Sequence, residues 1–305
     1  MSFTDQKAAA MSPRHLALAM FVMVIWGFNF VVTRLALDHY PPMLLVAMRF
    51  ALAAVPALFL PRPRIGFWRM VGISASMFMG QYVFLYLALM LGFPAGLSSV
   101  ALQVQAFFTI LLAAAVLGER PSPRQIIGTL VAFAGLAVIG LAVSGAGIPL
   151  ASVILLLASG LAWAVGNVLM RGGGSFDPLA MIVWLSLIPP LPVFLLSLYF
   201  EGTGRVMQAL AATNWQSLAL LAYIAVFSTL VGFGIWGYLL KTYPASTIAP
   251  LTLLVPITGA ASAALVLGEH FGTYRIIGMV LILAGLAIVA LPARFLPRMM
   301  LRRGA

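Results

Sequence analysis

Stretches of about 20 apolar residues, long enough for a helix to cross the hydrocarbon core of a bilayer, recur along the whole chain. Short segments rich in proline, glycine and charge separate them. We therefore predict an all-α polytopic membrane protein with ten transmembrane helices. Their predicted ranges are approximately 15–36, 43–60, 67–90, 94–118, 123–143, 149–170, 178–200, 215–240, 244–268 and 273–293.

The low content of charged residues indicates that most of the chain is surrounded by lipid rather than by water. Of the 305 residues, 63% are hydrophobic and 8% are charged, whereas soluble domains carry about 25% charged residues. So few charges cannot cover a surface exposed to water. Cysteine is absent, which excludes a disulfide framework and cysteine metal sites.

A long internal repeat divides the chain into two halves. Residues 116–141 and 266–291 both begin Val-Leu-Gly-Glu, then share Ile-Ile-Gly and Ala-Gly-Leu-Ala at the same spacing, with 12 of 26 positions identical. A match at a fixed offset of 150 residues indicates duplication. In a chain this apolar, two related halves are typical of membrane transporters.

The distribution of basic residues predicts the orientation in the membrane. The net charge of +11 does not indicate nucleic-acid binding, because the Lys and Arg lie in short loops and at the termini. With both termini cytoplasmic, thirteen basic residues fall inside and three outside, as the positive-inside rule requires. Five spans per half then make the repeat inverted. The predicted divisions are a disordered cytoplasmic N-terminus (1–13), a first repeat (14–143), a second repeat (149–293) and a basic cytoplasmic tail (294–305).

Three charged residues are candidates for gating or for structural pairing. Glu119 and Glu269 each end a long predicted helix, where a carboxylate can cap the next helix or pair with a neighbouring Arg. Arg49 lies inside the second predicted helix, where an unpaired charge is costly. Glu269 is a possible partner for it; a snorkelling side chain, a gate and a substrate contact are the alternatives.

Uncharged polar and aromatic residues within the spans predict a small internal cavity. Each alone can equally serve as a helix–helix hydrogen bond. Gln103 and Gln105 are expected to point to different sides of one helix. Pro256 is expected to free the carbonyl of Thr252. The residues predicted to bind substrate are Trp26, Asn29, Gln81, Tyr82, Gln103, Gln105, Trp163, Asn167, Trp236 and Pro256.

These features favour a carrier over other classes of membrane protein. The spans contain no paired carboxylates, no nucleophile–base pair and no cluster of metal ligands, so neither an intramembrane enzyme nor a cofactor is predicted. A channel would need a filter loop or a charged ring, and neither is visible. A membrane scaffold would not need a polar midplane. The predicted partners are a small-molecule substrate and the lipid bilayer, without nucleic acid.

Several motifs resemble one family of carriers. They include Trp-Gly-Phe-Asn-Phe at residues 26–30, Pro-Ala-Gly-Leu at 94–97, Leu-Gln-Val-Gln-Ala-Phe-Phe-Thr at 102–109, Gly-Ile-Trp-Gly at 234–237 and Leu-Leu-Val-Pro at 253–256. Together with Gly-Glu at the ends of helices 4 and 9, they resemble the EamA family of the drug/metabolite transporter superfamily. The resemblance runs from about residue 16 to residue 291.

The resemblance carries functional expectations of its own. It implies a bacterial inner-membrane exporter of small amino-acid-type metabolites, such as O-acetylserine or cysteine, that works by alternating access. Aromatic amino acids or amphipathic drug-like compounds are alternative substrates that the same fold accommodates. It also places the transport pathway among helices 1, 3, 4, 6, 8 and 9.

Overall fold

The computed structural model describes residues 11–118, 121–145, 148–170, 177–243, 251–252 and 254–290. Throughout these ranges the chain forms helices joined by turns and loops, so the fold is all-α as predicted. Six helical segments are long and apolar enough to cross a membrane, and four shorter apolar helices accompany them. Most of the predicted disordered N-terminus, the basic tail and the candidate Glu119 lie outside the described residues.

The first half of the chain contributes seven helices. A 3₁₀ turn extends α2 through Val55–Leu58, and a π-helical segment, Ala75–Gly80, joins α3 to α4. The helices are α1 (Pro13–Ala36), α2 (Pro42–Ala54), α3 (Phe67–Ser74), α4 (Gln81–Met90), α5 (Ala95–Ala101), α6 (Val104–Leu117) and α7 (Pro123–Gly145).

The second half contributes eight further helices. Two π-helical segments, Leu198–Gly202 and Tyr223–Val231, connect α10 to α11 and α12 to α13. The helices are α8 (Leu150–Met170), α9 (Pro178–Leu185), α10 (Pro190–Ser197), α11 (Thr203–Ala211), α12 (Trp215–Ala222), α13 (Gly232–Thr242), α14 (Leu254–Leu267) and α15 (Thr273–Ala290).

Local sequence explains where several of these helices begin and end. The Ser12 hydroxyl accepts from the His15 N–H before α1, and the Asp177 carboxylate accepts from the Ala180 N–H before α9. Gly118 ends α6 at φ 68°, and its repeat Gly268 follows α14 at φ 65°. Glycine adopts this left-handed conformation without a steric penalty, so the repeat-related helices α6 and α14 both end at a glycine in this conformation.

The predicted fourth span corresponds to one apolar helical segment, Ala95–Leu117, but a turn divides it into α5 and α6. Between α5 and α6 the chain makes a tighter turn, in which Gln105 N–H donates to the Leu102 carbonyl and Ala106 N–H to the Gln103 carbonyl. These bonds span three residues rather than four, as in a 3₁₀ helix. The predicted seventh helix is also divided, because a turn follows α9 and a new helix, α10, begins at Pro190. The helical segment also continues through α11, beyond the predicted end at residue 200.

Packing partners in the two halves are reciprocal. Helix α1 packs against α14, and α8 packs against α6, which is the equivalent pair with the halves exchanged. Helices α7 and α15, whose sequences carry the repeat, pack against each other. A Cβ on Gly285 would lie 2.5 Å from the Gly128 carbonyl, and one on Gly135 would lie 2.7 Å from the Gly278 carbonyl. The repeated glycines therefore allow backbone contact between these helices.

Candidate functional site

An internal cavity of about 360 Å³ lies between the two halves of the bundle. This volume falls within the range of roughly 300–1,000 Å³ that is usual for small-molecule sites. Its walls come from α1, α4, α6, α8, α13, α14, α15 and from segments beside them. Nine of the ten residues that the sequence suggested for substrate binding line it: Trp26, Asn29, Gln81, Tyr82, Gln103, Gln105, Trp163, Asn167 and Trp236.

Two expectations about individual residues need correction. Gln103 and Gln105 both line the cavity, although an unbroken helix would direct them to different sides. The tighter turn before α6 explains this. Side chains at positions i and i+2 are separated by about 120° around the axis of a 3₁₀ helix, but by about 160° around the axis of an α-helix. Pro256 does not line the cavity; its carbonyl accepts from the Ser99 hydroxyl at 3.2 Å and so joins α14 to α5.

Aromatic rings form one wall of the cavity. The Trp26 ring centre lies 5.1 Å from that of Phe233 and 5.5 Å from that of Trp236, both in tilted arrangements. The Trp26 indole N–H donates to the Ser228 carbonyl at 3.0 Å, which fixes the ring's orientation. A Cβ on Gly232 would lie 2.5 Å from the indole nitrogen, so glycine makes room for the ring.

Amide side chains supply the polar part of the cavity wall. Gln81 Nε2 donates to Gln105 Oε1 at 3.4 Å, and Asn167 Nδ2 donates to Thr109 Oγ1 at 3.2 Å. Asn29 is 8% exposed and Gln81 is 5% exposed. Within the described residues, neither Asn29 Oδ1 nor Gln81 Oε1 has a hydrogen-bond donor. Buried acceptors are normally satisfied, and both side chains line the cavity, so rotation of either amide would present its oxygen to a ligand's N–H or O–H groups.

Arg49 lies directly behind the Tyr82 part of the wall and is 1% exposed, so it does not snorkel. Its Nε and Nη2 atoms donate to Thr229 Oγ1 at 3.1 and 2.9 Å. Nη1 donates to the Tyr86 hydroxyl at 2.8 Å, and Nη2 donates to the Tyr82 hydroxyl at 3.3 Å. Of the residues described, none is a carboxylate within ion-pair distance of Arg49, so the suggested pairing with Glu269 is wrong.

Glu269 instead caps a helix in the other half. Its Oε1 accepts from the Ala95 N–H at 2.7 Å, and its Oε2 accepts from the Gly96 N–H at 3.1 Å. The expected cap therefore forms on α5 rather than on the helix that follows Glu269. Burial raises the pKa of the Glu269 carboxyl above its ordinary value, although these two N–H groups, Arg275 and Arg34 each lower it.

Sequence reasoning did not identify Glu201 as a helix cap. Its Oε1 accepts from the Met43 N–H at 2.7 Å and its Oε2 from the Leu44 N–H at 3.2 Å, at the start of α2. The Ser197 hydroxyl also donates to it. A lone acid next to a predicted loop gives no sign of a partner 157 residues away, so only the fold identifies this contact.

Sequence reasoning also missed part of the cavity lining. Phe233 and Val255 line the cavity, yet neither was a candidate. Phe233 lies three residues before the candidate Trp236, so that candidate already identified its neighbourhood. Thr252, whose carbonyl Pro256 was expected to free, also lines the cavity.

The fold and the cavity define a polytopic membrane protein with an internal, largely uncharged site between two halves. The chain belongs to the EamA-like transporter family. The sequence model of that family matches twice, once over residues 14–141 and once over residues 150–291. It is therefore a multi-pass protein of the inner membrane, in a family of transporters.

Relatives named as exporters align over most of the chain. A probable amino-acid metabolite efflux pump of Salmonella typhimurium is 41% identical over 91% of this chain and 95% of its own length. The protein of the same name in Escherichia coli is 38% identical over the same shares. A probable terminal-alkyne amino-acid exporter of Streptantibioticus cattleyicolor is 27% identical over 88% of this chain and 90% of its own.

A solved crystal structure has the same overall fold. It matches with a TM-score of 0.60 and 19% sequence identity, covering 93% of this chain and 99% of the other. At this identity the likeness concerns the helical architecture alone.

Proposed function

We propose that the chain exports small amino-acid-type metabolites of the O-acetylserine or cysteine kind, and that the cavity is its substrate site. The observation that carries the proposal is the pair of buried acceptors without donors, Asn29 Oδ1 and Gln81 Oε1, in the cavity wall. An α-ammonium group offers three N–H donors, and an unsatisfied buried acceptor is costly, so such a ligand suits both oxygens. The names of the Salmonella and Escherichia relatives support the same substrate class.

The transport cycle in this proposal is alternating access in a ten-span bundle. The six long helical segments and four shorter apolar helices support that count, and the charge distribution supports cytoplasmic termini. Two five-span repeats then cross the membrane in opposite senses, with the site between them. Rocking of the repeats would expose the cavity first to the cytoplasm and then to the outside. The chain acts as a carrier rather than an enzyme, and needs no cofactor.

Glu269 is the gating charge in this cycle. It joins α14 to α5 at the end of the bundle where α1 meets α2, which the charge distribution assigns to the outer face. Opening of the outer face would break both hydrogen bonds and expose the carboxylate to water. Glu119 is its repeat-related counterpart in the sequence and the proposed gating charge of the cytoplasmic face.

Aromatic amino acids are a second candidate substrate class. The observation that favours them is the wall of Trp26, Phe233 and Trp236, against which a flat ring can pack. Aromatic contacts of this kind prefer tilted or offset geometry, which this wall presents.

An efflux assay tests both candidates. Cells with and without the chain are preloaded with O-acetylserine, cysteine, threonine or phenylalanine, and the external concentration of each is followed over minutes. We expect efflux of the small polar amino acids that Asn29→Ala and Gln81→Ala reduce at equal membrane abundance. Gln208→Ala is the matched control, because Gln208 is exposed on α11 away from the cavity. Normal efflux from both cavity variants would overturn the site, and no efflux of any probe would overturn the function.

A further inference from the structure

We infer that Arg49, acting through the Tyr82 hydroxyl, anchors the carboxylate of the exported molecule. The substrate class is therefore a free α-amino acid, rather than an amine or an amide of similar size. This inference rests on the proposed function and specifies which chemical groups the cavity recognises. It assigns a role in specificity to a residue that does not itself line the cavity.

No carboxylate among the described residues balances the positive charge of Arg49. The hydrogen-bond acceptors described for Arg49 are all neutral hydroxyl groups, on Thr229, Tyr82 and Tyr86. The centres of the Phe50 and Tyr82 rings lie 5.6 and 4.1 Å from its guanidinium carbon, and neither ring carries a negative charge. Buried charges are normally paired, because desolvation of an isolated ion is expensive. A guanidinium held at membrane depth by neutral hydroxyl groups and aromatic rings keeps a net positive charge that can attract an anion nearby.

Tyr82 lies between this charge and the cavity. The guanidinium carbon of Arg49 lies 4.1 Å from the centre of the Tyr82 ring, and Tyr82 lines the cavity. The Tyr82 oxygen accepts from Arg49, and among the described residues its own proton has no acceptor. A hydroxyl that accepts from a cation becomes a stronger donor, because hydrogen bonds in a chain polarise one another. The hydroxyl hydrogen of Tyr82 is thus suited to form a hydrogen bond to a carboxylate oxygen.

Thr229 and Tyr86 hold the guanidinium in place. The Thr229 hydroxyl donates its proton to the Ile224 carbonyl at 3.0 Å, which turns its lone pairs toward Arg49. Tyr86 is fully buried, contacts Arg49 and does not line the cavity. These two residues act through Arg49, whereas Tyr82 alone connects it with the cavity.

Side chains near Tyr82 in the cavity wall supply acceptors, which complement the donor of the Tyr82 hydroxyl. Gln81, next to Tyr82 in α4, offers the unpartnered acceptor Oε1, and Asn29 offers Oδ1. The cavity therefore contains acceptors for an ammonium group and a cation-polarised donor for a carboxylate. A zwitterion satisfies both sets, and a molecule without a carboxylate leaves the Arg49 charge unbalanced.

The test compares each amino acid with its decarboxylated counterpart. Purified protein is reconstituted in liposomes preloaded with cysteine or cysteamine, threonine or 1-amino-2-propanol, and phenylalanine or phenylethylamine. We expect export of at least one amino acid and no export of its amine. Equal export of an amino acid and its amine would overturn the inference and leave the proposed function standing. Failure to export any amino acid would overturn both.

Two tyrosine variants separate recognition from packing. Tyr82→Phe keeps the ring and removes the hydroxyl, so we expect amino-acid export to fall roughly ten- to a hundredfold, the usual value of a hydrogen bond to a charged group. The ratio of amino-acid to amine export should fall with it. Tyr40→Phe removes a buried hydroxyl that donates to Ser217 Oγ at 2.9 Å, away from both the cavity and Arg49, and should leave that ratio unchanged. If Tyr82→Phe exported amino acids normally and kept the ratio of amino-acid to amine export unchanged, the inference would be overturned. This test does not depend on Arg49→Gln, a variant that removes the buried charge and can fail to fold.

Discussion

The Glu269 carboxylate lies 2.7 Å from the backbone nitrogen of Ala95, and this contact joins the second half of the chain to the first. A second bond to Gly96 makes the cap bidentate. Pro94-Ala95 and Glu269 both belong to the sequence repeat, since Pro244-Ala245 and Glu119 lie 150 residues away from them. The repeat thus includes both the acid and the helix start that it caps.

Replacement of Glu269 by Ala should destabilise the protein by about 1–2 kcal/mol, because two backbone N–H groups of α5 lose their acceptors. Thermal unfolding of the purified protein in detergent at pH 7 measures this change. Asp38→Ala is the matched control. Its carboxylate pairs with Arg34 at 2.7 Å but is 58% exposed, so its loss should cost roughly 0–1 kcal/mol. Equal effects of the two substitutions would contradict the cap.

The raised pKa of Glu269 predicts a pH dependence with a definite sign. The folded protein binds this proton more tightly than the unfolded chain, whose carboxyl titrates at about 4.3. The contribution of Glu269 to stability is therefore greatest below that pH and falls as pH rises through the folded-state pKa. Glu269→Gln, which cannot titrate, is the reference. The melting temperature of the native chain minus that of the Gln variant should decrease from pH 4 to pH 7, and an increase would refute the shift.

Hydrophobic patterning was sufficient to predict an all-α fold with several membrane-spanning helices. Spans of fixed length and the repeated glycines of α7 and α15 are properties of short sequence windows. Gly135 and Gly285, which lie where α7 and α15 meet, both belong to the repeated sequence segments. The polar and aromatic residues that line the cavity were also visible, because such residues are rare in an apolar chain.

The details that were missed depend on contacts between distant segments. The tight turn that brings Gln103 and Gln105 to one cavity replaces a regular helix without any proline or glycine to mark it. Arg49 had an acid as its expected partner, yet hydroxyl groups from α4 and from the segment before α13 surround it. No local pattern encodes such partners, since they lie up to 180 residues away in sequence.

Gly232→Ala tests whether the aromatic wall depends on the close approach of Trp26. The new methyl group would lie 2.5 Å from the indole nitrogen, so the ring must move and its bond to the Ser228 carbonyl must weaken. Overpacking of this kind costs about 1–3 kcal/mol. We expect a lower melting temperature together with reduced efflux. Gly234→Ala, in the same helix, meets only Leu179 at an ordinary 3.7 Å and should leave both unchanged.

The proposed topology is testable with single cysteines, because the native chain contains none. Gly66 precedes α3 and Gly204 lies in α11, and a Cβ at either position meets nothing within 4 Å. Five proposed spans separate the two residues, so they should face opposite sides of the membrane. A maleimide that crosses the outer but not the inner membrane should label Gly204→Cys in intact cells, and Gly66→Cys only after permeabilisation. The reverse pattern would invert the orientation, whereas labelling of both in intact cells would require an even number of spans between them and would exclude the inverted five-span repeat.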